Sequence, residues 1–238
     1  MPLLGEKDRR FLQAHLAKAM EKPVKLLFFT QTIACQFCRE TEELLREVSS
    51  LSDKIGLEVY NLITDAEMAE RYGVDKIPAT VVMSDQDYGV RFYGIPSGYE
   101  FTSLIEDIVD VSRGAPELSA ETRQALARIQ QDVHLQVFVT PTCPYCPDAV
   151  HLAHSLAIAS ERIKADMVEA VEFPQLAIKY GVQGVPKTVI NESVAVEGAA
   201  PEPLLVARIL DALGLLTEEE RRTLQQRFGS TEEAGATE

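Results

Sequence analysis

Tryptophan is absent from the 238 residues, cysteine occurs only four times, and cationic side chains are scarce, with 23 Lys plus Arg against 37 Asp plus Glu and a formal net charge of −14. A cationic deficit of that size excludes a general nucleic-acid binder, because neutralising phosphates needs surplus positive surface. Long apolar runs are missing too. The strongest, Lys25 to Phe29, is far below the roughly 20 residues that cross a bilayer, and no basic stretch followed by an apolar core opens the chain. The expectation is a soluble, cytoplasmic protein that binds neither membrane nor nucleic acid. No Gly-x-Gly-x-x-Gly follows any strand-like run, so no dinucleotide fold is expected within these residues.

What is present is ordinary globular chain, 46% hydrophobic, long enough for one to two domains. The four cysteines form two pairs, Cys35-Gln-Phe-Cys38 and Cys143-Pro-Tyr-Cys146. A chain of this size needs no disulfide staples to hold a core, so the pairs are read as chemistry rather than scaffolding.

The two pairs lie 108 positions apart, and the same offset carries Tyr72-Gly-Val74 onto Tyr180-Gly-Val182, Pro78 onto Pro186 and Thr80 onto Thr188. Leu44/Leu152, Ser52/Ser160 and Ala69/Ala177 match without a gap, and Cys35 to Pro78 and Cys143 to Pro186 each span 43 positions. A period near 108 is too long for a solenoid repeat and equals one small domain. The chain therefore reads as two tandem copies, 1–116 and 117–228, followed by a disordered acidic tail at 229–238.

Within each copy the apolar pattern predicts the order βαβαββα. A β-rich run (25–30; 135–140) leads into the Cys pair and a helix (39–52; 148–160). A second strand follows (57–63; 163–171), then a short helix ending at Tyr-Gly, a Pro-led strand (79–83; 187–190), its hairpin partner (88–93; 193–197) and a closing helix (99–111; 203–213). Further helices precede each copy near 6–20 and 120–132, and the boundary is placed at 112–116.

A Cys pair at a strand-to-helix junction puts the first sulfur near the unsatisfied N–H groups and positive end of the helix, which favours the thiolate that attacks disulfides. Cys143 is expected as the N-cap with Pro144 at the first helical position. Two sulfurs three residues apart can close a small ring, so an attacking Cys35 or Cys143 would form a mixed disulfide that Cys38 or Cys146 resolves.

A shared Cys₄ zinc site is the competing reading, but 104 residues separate the pairs where such sites use about 15 to 20. His151 follows Cys146 too closely on one helix for its imidazole to face the sulfur, so His151 and His154 read as solvated or packed helix histidines. Inert buried thiols would leave the doubled spacing unexplained. Ile77-Pro78 and Val185-Pro186 read either as turn punctuation or as cis bonds that leave backbone groups free to pair with an extended substrate.

These features together resemble the thioredoxin fold: a βαβαββα unit with Cys-x-x-Cys at its first helix and Ile-Pro or Val-Pro opening a later strand. Two such units, with Cys-Gln-Phe-Cys first and the glutaredoxin-like Cys-Pro-Tyr-Cys second, resemble the protein disulfide oxidoreductases, or glutaredoxin-like proteins, of thermophilic prokaryotes. Cys143-Pro-Tyr-Cys-Pro147, Asp166-Met-Val-Glu-Ala170 and Val185-Pro-Lys-Thr-Val189 are particularly similar, and the likeness spans about 6–214.

The resemblance implies an α/β fold of two tandem thioredoxin-like units, each a central mixed β-sheet flanked by helices. It implies dithiol–disulfide exchange on protein substrates, with Cys35 and Cys143 as nucleophiles, Cys38 and Cys146 as resolving thiols, and the cis-proline loops Ile77-Pro78 and Val185-Pro186 as the substrate-binding elements. It further implies no cofactor or metal beyond the redox-active disulfides Cys35–Cys38 and Cys143–Cys146, cytosolic residence, and recharging by a separate thioredoxin-reductase-like flavoprotein.

The chain departs from thioredoxin itself in two ways. Ala34 and Thr142 replace the Trp that precedes the first Cys there, and neither pre-Cys strand carries a carboxylate. Arg39 beside Cys38, against Pro147-Asp148 beside Cys146, favours the thiolate more at the first site. The glutaredoxin-like second site is nevertheless expected to carry more of the turnover.

The alternative function is a dedicated electron relay to a peroxiredoxin, similar to the two-unit N-terminal module of alkyl hydroperoxide reductase flavoproteins. That module keeps a Cys pair only in its second unit, so two intact pairs favour the oxidoreductase. A peptide-binding chaperone-like module and a non-redox zinc protein are the remaining readings.

Overall fold

A computed structural model describes residues 3–228; the acidic tail expected at 229–238 lies outside them. In chain order the described residues form α1 (Glu6–Ala19), β1 (Val24–Thr30), α2 (Cys38–Ser49), β2 (Ile55–Asn61), α3 (Ala66–Tyr72), β3 (Ala79–Met83), β4 (Asp87–Tyr93) and α4 (Glu100–Arg113). The same series then recurs as α5 (Ala120–Leu126), β5 (Val133–Val139), α6 (Cys146–Ala159), β6 (Ile163–Glu169), α7 (Pro174–Lys179), β7 (Lys187–Ile190), β8 (Val194–Glu197) and α8 (Glu202–Ala212), closed by α9 (Glu218–Phe228).

All eight strands join one sheet in the order β2-β1-β3-β4-β6-β5-β7-β8. β3 runs antiparallel to β1 and β4, while β4 pairs in parallel with β6. Consequently β1, β2, β4, β5 and β6 all point the same way and end at one edge of the molecule. The repeats meet along β4 and β6, with Arg91 opposite Asp166 and Phe92 opposite Met167.

Alternation along the strands sends side chains to opposite faces of the sheet. Leu26 and Phe28 enter one large core beneath α1, α2, α4, α5, α6 and α8; Leu27 and Phe29 enter a smaller one beneath α3 and α7. Both cores run across the join: the larger contains Cys38 and Cys146, the smaller Ala69 and Val168.

The structure revises several sequence expectations. Cys143 is not an N-cap: α6 begins at Cys146 with Tyr145 as its N-cap. A helix capped by Cys143 would need its first bond from the N–H of residue 147, and Pro147 has none. Ser112 and Arg113, expected in the boundary, complete α4, and Ser112 is fully buried, its hydroxyl accepting from the N–H groups of Glu21 and Lys22. Positions 116 and 117 fall in the extended link between α4 and α5. The helix expected over 120–132 stops at Leu126, where the chain turns Ile129 into the core.

Candidate active site

Both Cys pairs stand where a strand hands over to a helix on the larger-core side of the sheet. β1 leads to Cys35 and α2 starts at Cys38; β5 leads to Cys143 and α6 starts at Cys146. Each pair is a disulfide with Cα atoms 5.5 Å apart. In each the second sulfur is the deeper one: Cys38 is 3% exposed beside a half-buried Cys35, and Cys146 is 0% exposed beside Cys143 at 7%. The second Cys, as first residue of a helix, sits among N–H groups that lack intrahelical acceptors.

Ile77-Pro78 and Val185-Pro186 are both cis. Pro78 and Pro186 are buried, Ile77 and Val185 half-buried. The Cys143 sulfur lies 3.7 Å from the Val185 carbonyl oxygen, which brings the second Cys pair and its proline loop together. Among the described residues, no backbone hydrogen bond engages the N–H of Ile77 or Val185. The carbonyls of the prolines are held from behind, accepting from Gly94 N–H at 2.9 Å and Gly198 N–H at 2.8 Å.

One loop joins the surroundings of the two sites. It leaves β4 at Gly94, gives the Ile95 N–H to Glu172 Oε1 at 2.7 Å, and gives the Tyr99 N–H to the Pro141 carbonyl at 3.1 Å. Gly98 makes this docking possible: its φ is +62°, and a Cβ there would overlap the Pro141 carbonyl oxygen. Pro141 is two residues ahead of Cys143, so α4 starts against the loop that presents the second pair.

Buried acids that no sequence motif marks gather where the repeats join. Glu100, the first residue of α4, is 1% exposed; burial lifts its pKa to about 7 against the pull of a hydrogen bond from Ser103 and the nearby His154. Burial also lifts Glu172 to about 7, reinforced by Glu169, whose own pKa is raised by burial. Oε1 of Glu100, Oε1 of Glu169 and Oε2 of Glu172 are buried without a hydrogen-bond partner. Further along, His154 Nδ1 and Asp107 Oδ2 meet at 2.5 Å with both side chains buried, while His151 faces Glu106 and Asp110. The histidines are thus packing elements between α4 and α6.

The first site has a buried carboxylate oxygen of its own, Oε2 of Glu40, two residues past Cys38 and without a hydrogen-bond partner. Arg39, expected to favour the thiolate there, is 81% exposed at its side chain and paired with Glu40 at 3.3 Å and Glu43 at 3.9 Å, so its charge is largely offset. Among the described residues no three His, Cys, Asp or Glu side chains converge as a metal site, and no helix is long and apolar enough to cross a membrane.

The family model for the thioredoxin domain matches residues 133–211, around the second pair. A protein disulfide oxidoreductase from Aeropyrum pernix K1 superposes with a TM-score of 0.82 at 32% identity, over 90% of this chain and 95% of that one. The chain belongs to the protein disulfide oxidoreductases.

The N-terminal domain of the alkyl hydroperoxide reductase AhpF from Enterococcus faecalis V583 is also similar, with a TM-score of 0.78 at 27% identity over 88% of this chain and 99% of that one. The AhpF of Escherichia coli K12 is 28% identical over 199 residues, 83% of this chain. The chain spans about a third of the length of the curated relatives it matches, 36% in the case of the Escherichia coli protein. As a disulfide oxidoreductase it has the parts the exchange requires: two closed Cys pairs, each with a shallower and a deeper sulfur and a cis-proline loop in the same repeat.

Proposed function

We propose that the protein exchanges dithiols for disulfides in protein substrates through both Cys pairs, reducing, oxidising or isomerising them. One observation carries the reading. Each repeat holds a disulfide whose first sulfur is more accessible than its second, at a helix start, with a cis-proline loop that leaves a backbone N–H unengaged. In the reductive direction the Cys35 or Cys143 thiolate attacks a client disulfide and expels one client thiolate, leaving a mixed disulfide. Cys38 or Cys146 then attacks the protein sulfur, releasing the second client thiolate and closing the site disulfide. Two electrons pass to the client, and the two protons of the site dithiol end on client thiols or solvent. Ile77 and Val185 bind the client by pairing their free backbone groups with its extended chain, as in β-strand addition.

We place one site in each repeat, 1–116 and 117–228, and give the glutaredoxin-like second site the larger share of turnover. Cytoplasmic residence, recharging by a thioredoxin-reductase-like flavoprotein and a thermophilic source belong to the same proposal; intracellular disulfides are a habit of hyperthermophiles. Insulin reduction and scrambled-ribonuclease refolding with wild type, Cys35→Ser, Cys143→Ser and the double variant test it. The double variant should be inactive and Cys143→Ser the more damaging single change. Full activity in the double variant refutes the catalytic reading.

The likeness to the AhpF proteins favours one second reading, a relay that passes electrons to a peroxiredoxin. It predicts that Cys143→Ser alone abolishes delivery to a peroxiredoxin while Cys35→Ser leaves it intact.

A further inference from the structure

The parallel alignment of β1 with β5 puts both Cys pairs at the same end of one sheet and on the same side of it. Four strand steps separate β1 from β5 in the order β1-β3-β4-β6-β5. At about 4.8 Å per step, and allowing for the twist between neighbouring strands, the two sites lie on the order of 20–25 Å apart. The spacing is held by the β4–β6 ladder, the Tyr99–Pro141 and Ile95–Glu172 hydrogen bonds and the buried Asp107–His154 contact.

Much of the exposed apolar surface gathers along this edge, interspersed with the exposed polar Thr32, Gln36, Thr64 and Thr142. Of the nine large hydrophobic side chains exposed among the described residues, five are Ile33, Ile63, Tyr99, Tyr145 and Val171. Every one is in a loop at the C-terminal end of a parallel strand. Leu62 N–H is bonded to the Thr30 carbonyl and Ala170 N–H to the Val139 carbonyl, which fixes the neighbouring Ile63 and Val171 beside the strands that lead to Cys35 and Cys143. Tyr99 and Val171 occupy the β4 and β6 positions, between the two pairs.

We propose that this edge is a single docking surface for one client: an extended or loosely folded polypeptide with apolar residues between two reactive sulfurs, which engages both sites at once. The inference rests on the disulfide-exchange reading. A fully extended chain advances about 3.3 Å per residue, so roughly seven residues must separate the client sulfurs for both to reach. Once one sulfur is linked, the second meets its site at an effective concentration in the millimolar range instead of by diffusion. Each attack is balanced: one site thiolate forms one mixed disulfide and expels one leaving thiolate from the client.

The test uses the full chain with both resolving thiols removed, Cys38→Ser/Cys146→Ser, and with Cys38→Ala/Cys146→Ala as the second choice should the serine variant misfold. The probes are peptides bearing two cysteines, each activated as a mixed disulfide with thionitrobenzoate, separated by two or by fourteen mostly apolar residues. With protein near 5 μM and peptide near 10 μM, the fourteen-residue spacer should give one peptide linked twice to one chain. Its second thionitrobenzoate release should be independent of concentration and roughly 100-fold faster than with the short spacer, the ratio of about 1 mM to 10 μM. The short spacer should give two peptides per chain. If both sites release thionitrobenzoate but the long spacer also gives two peptides per chain at the same rate, the shared surface is refuted and the exchange reading stands. If neither site releases it, both fall.

Discussion

Glu100 supplies the sharpest test of the electrostatics between α4 and α6. Its carboxyl is 1% exposed and has a folded-state pKa of about 7 against an ordinary 4.5. Between those values the folded chain holds a proton that the unfolded chain has released, so stability must fall as pH rises from about 4.5 to about 7. At 1.36 kcal/mol per pKa unit, the shift costs about 3 kcal/mol once pH exceeds 7, and nothing below 4.5. Glu100→Gln keeps the shape of the neutral acid and cannot ionise. It should match wild type near pH 4.5–5 and exceed it by about 3 kcal/mol at pH 8, moving the urea midpoint up by about 1 M for a chain this size. Urea unfolding followed by far-ultraviolet circular dichroism suits a protein without tryptophan, with both disulfides kept closed so that no thiol titrates. Only the difference between variant and wild type is read, which cancels carboxylates such as Glu220, pulled down to about 2 by Arg128. A difference that stays flat between pH 5 and 8, or that is negative at pH 8, refutes the reasoning.

Two further substitutions probe how the repeats are joined. Gly98→Ala should cost at least about 2 kcal/mol and lower Tm by several degrees, because its Cβ meets the Pro141 oxygen. Gly181→Ala, with a φ of +58° but nothing within 4 Å, should cost only about 1 kcal/mol; equal losses in thermal melts would contradict the docking. Asp107→Ala and His154→Ala should each cost about 3 kcal/mol by leaving the other side chain buried and alone, and the double variant much less than their sum. Additive losses in a denaturation-based double-mutant cycle would show that the contact does not couple α4 to α6.

The features legible in the sequence were those the repeat writes twice or a few neighbouring residues specify. The Cys pairs, the strands feeding them and the proline-led strands 79–83 and 187–190 depend on local apolar pattern and spacing. The repeat misled where the two copies meet different neighbours. His154 occupies the position of Arg46 in the first copy, 108 residues earlier. Arg46 stands in solvent and pairs with Glu42 one turn back, whereas His154 is covered by α4 and fully buried. Past the hairpin the offset falls to 104, as Gly94 and Gly198 behind Pro78 and Pro186 show, and Glu100 then corresponds to the apolar Leu204. No periodicity reveals such pairs, because they exist only once α4 of one repeat lies on α6 of the next. α9 is hidden from the apolar pattern for another reason. Glu218–Phe228 is too polar to show an apolar stripe, although Thr217 and Glu220 spell a capping box, with the Glu220 N–H donating to Thr217 Oγ1 and its carboxylate accepting from the Thr217 N–H.

The same asymmetry changes the basis on which the two redox sites differ. From sequence, Arg39 beside Cys38 was the distinguishing charge, yet it extends into solvent and is shared by two glutamates. Exposed pairs of this kind contribute little, so Arg39 leaves the first site close to what its helix start alone provides. The larger difference is burial: Cys143 is 7% exposed against a half-buried Cys35, and the loop that leads to it is held by the Tyr99 N–H on the Pro141 carbonyl. Glu100 and Glu172 are neutral below about pH 7 and charged above it. Glu172 packs against Gly94, whose N–H backs Pro78, so these acids adjoin the proline loop of the first site as well as the loop that leads to the second. The structural difference between the two sites is therefore one of burial, with Cys143 at 7% exposure against a half-buried Cys35, and not one of the charge on Arg39.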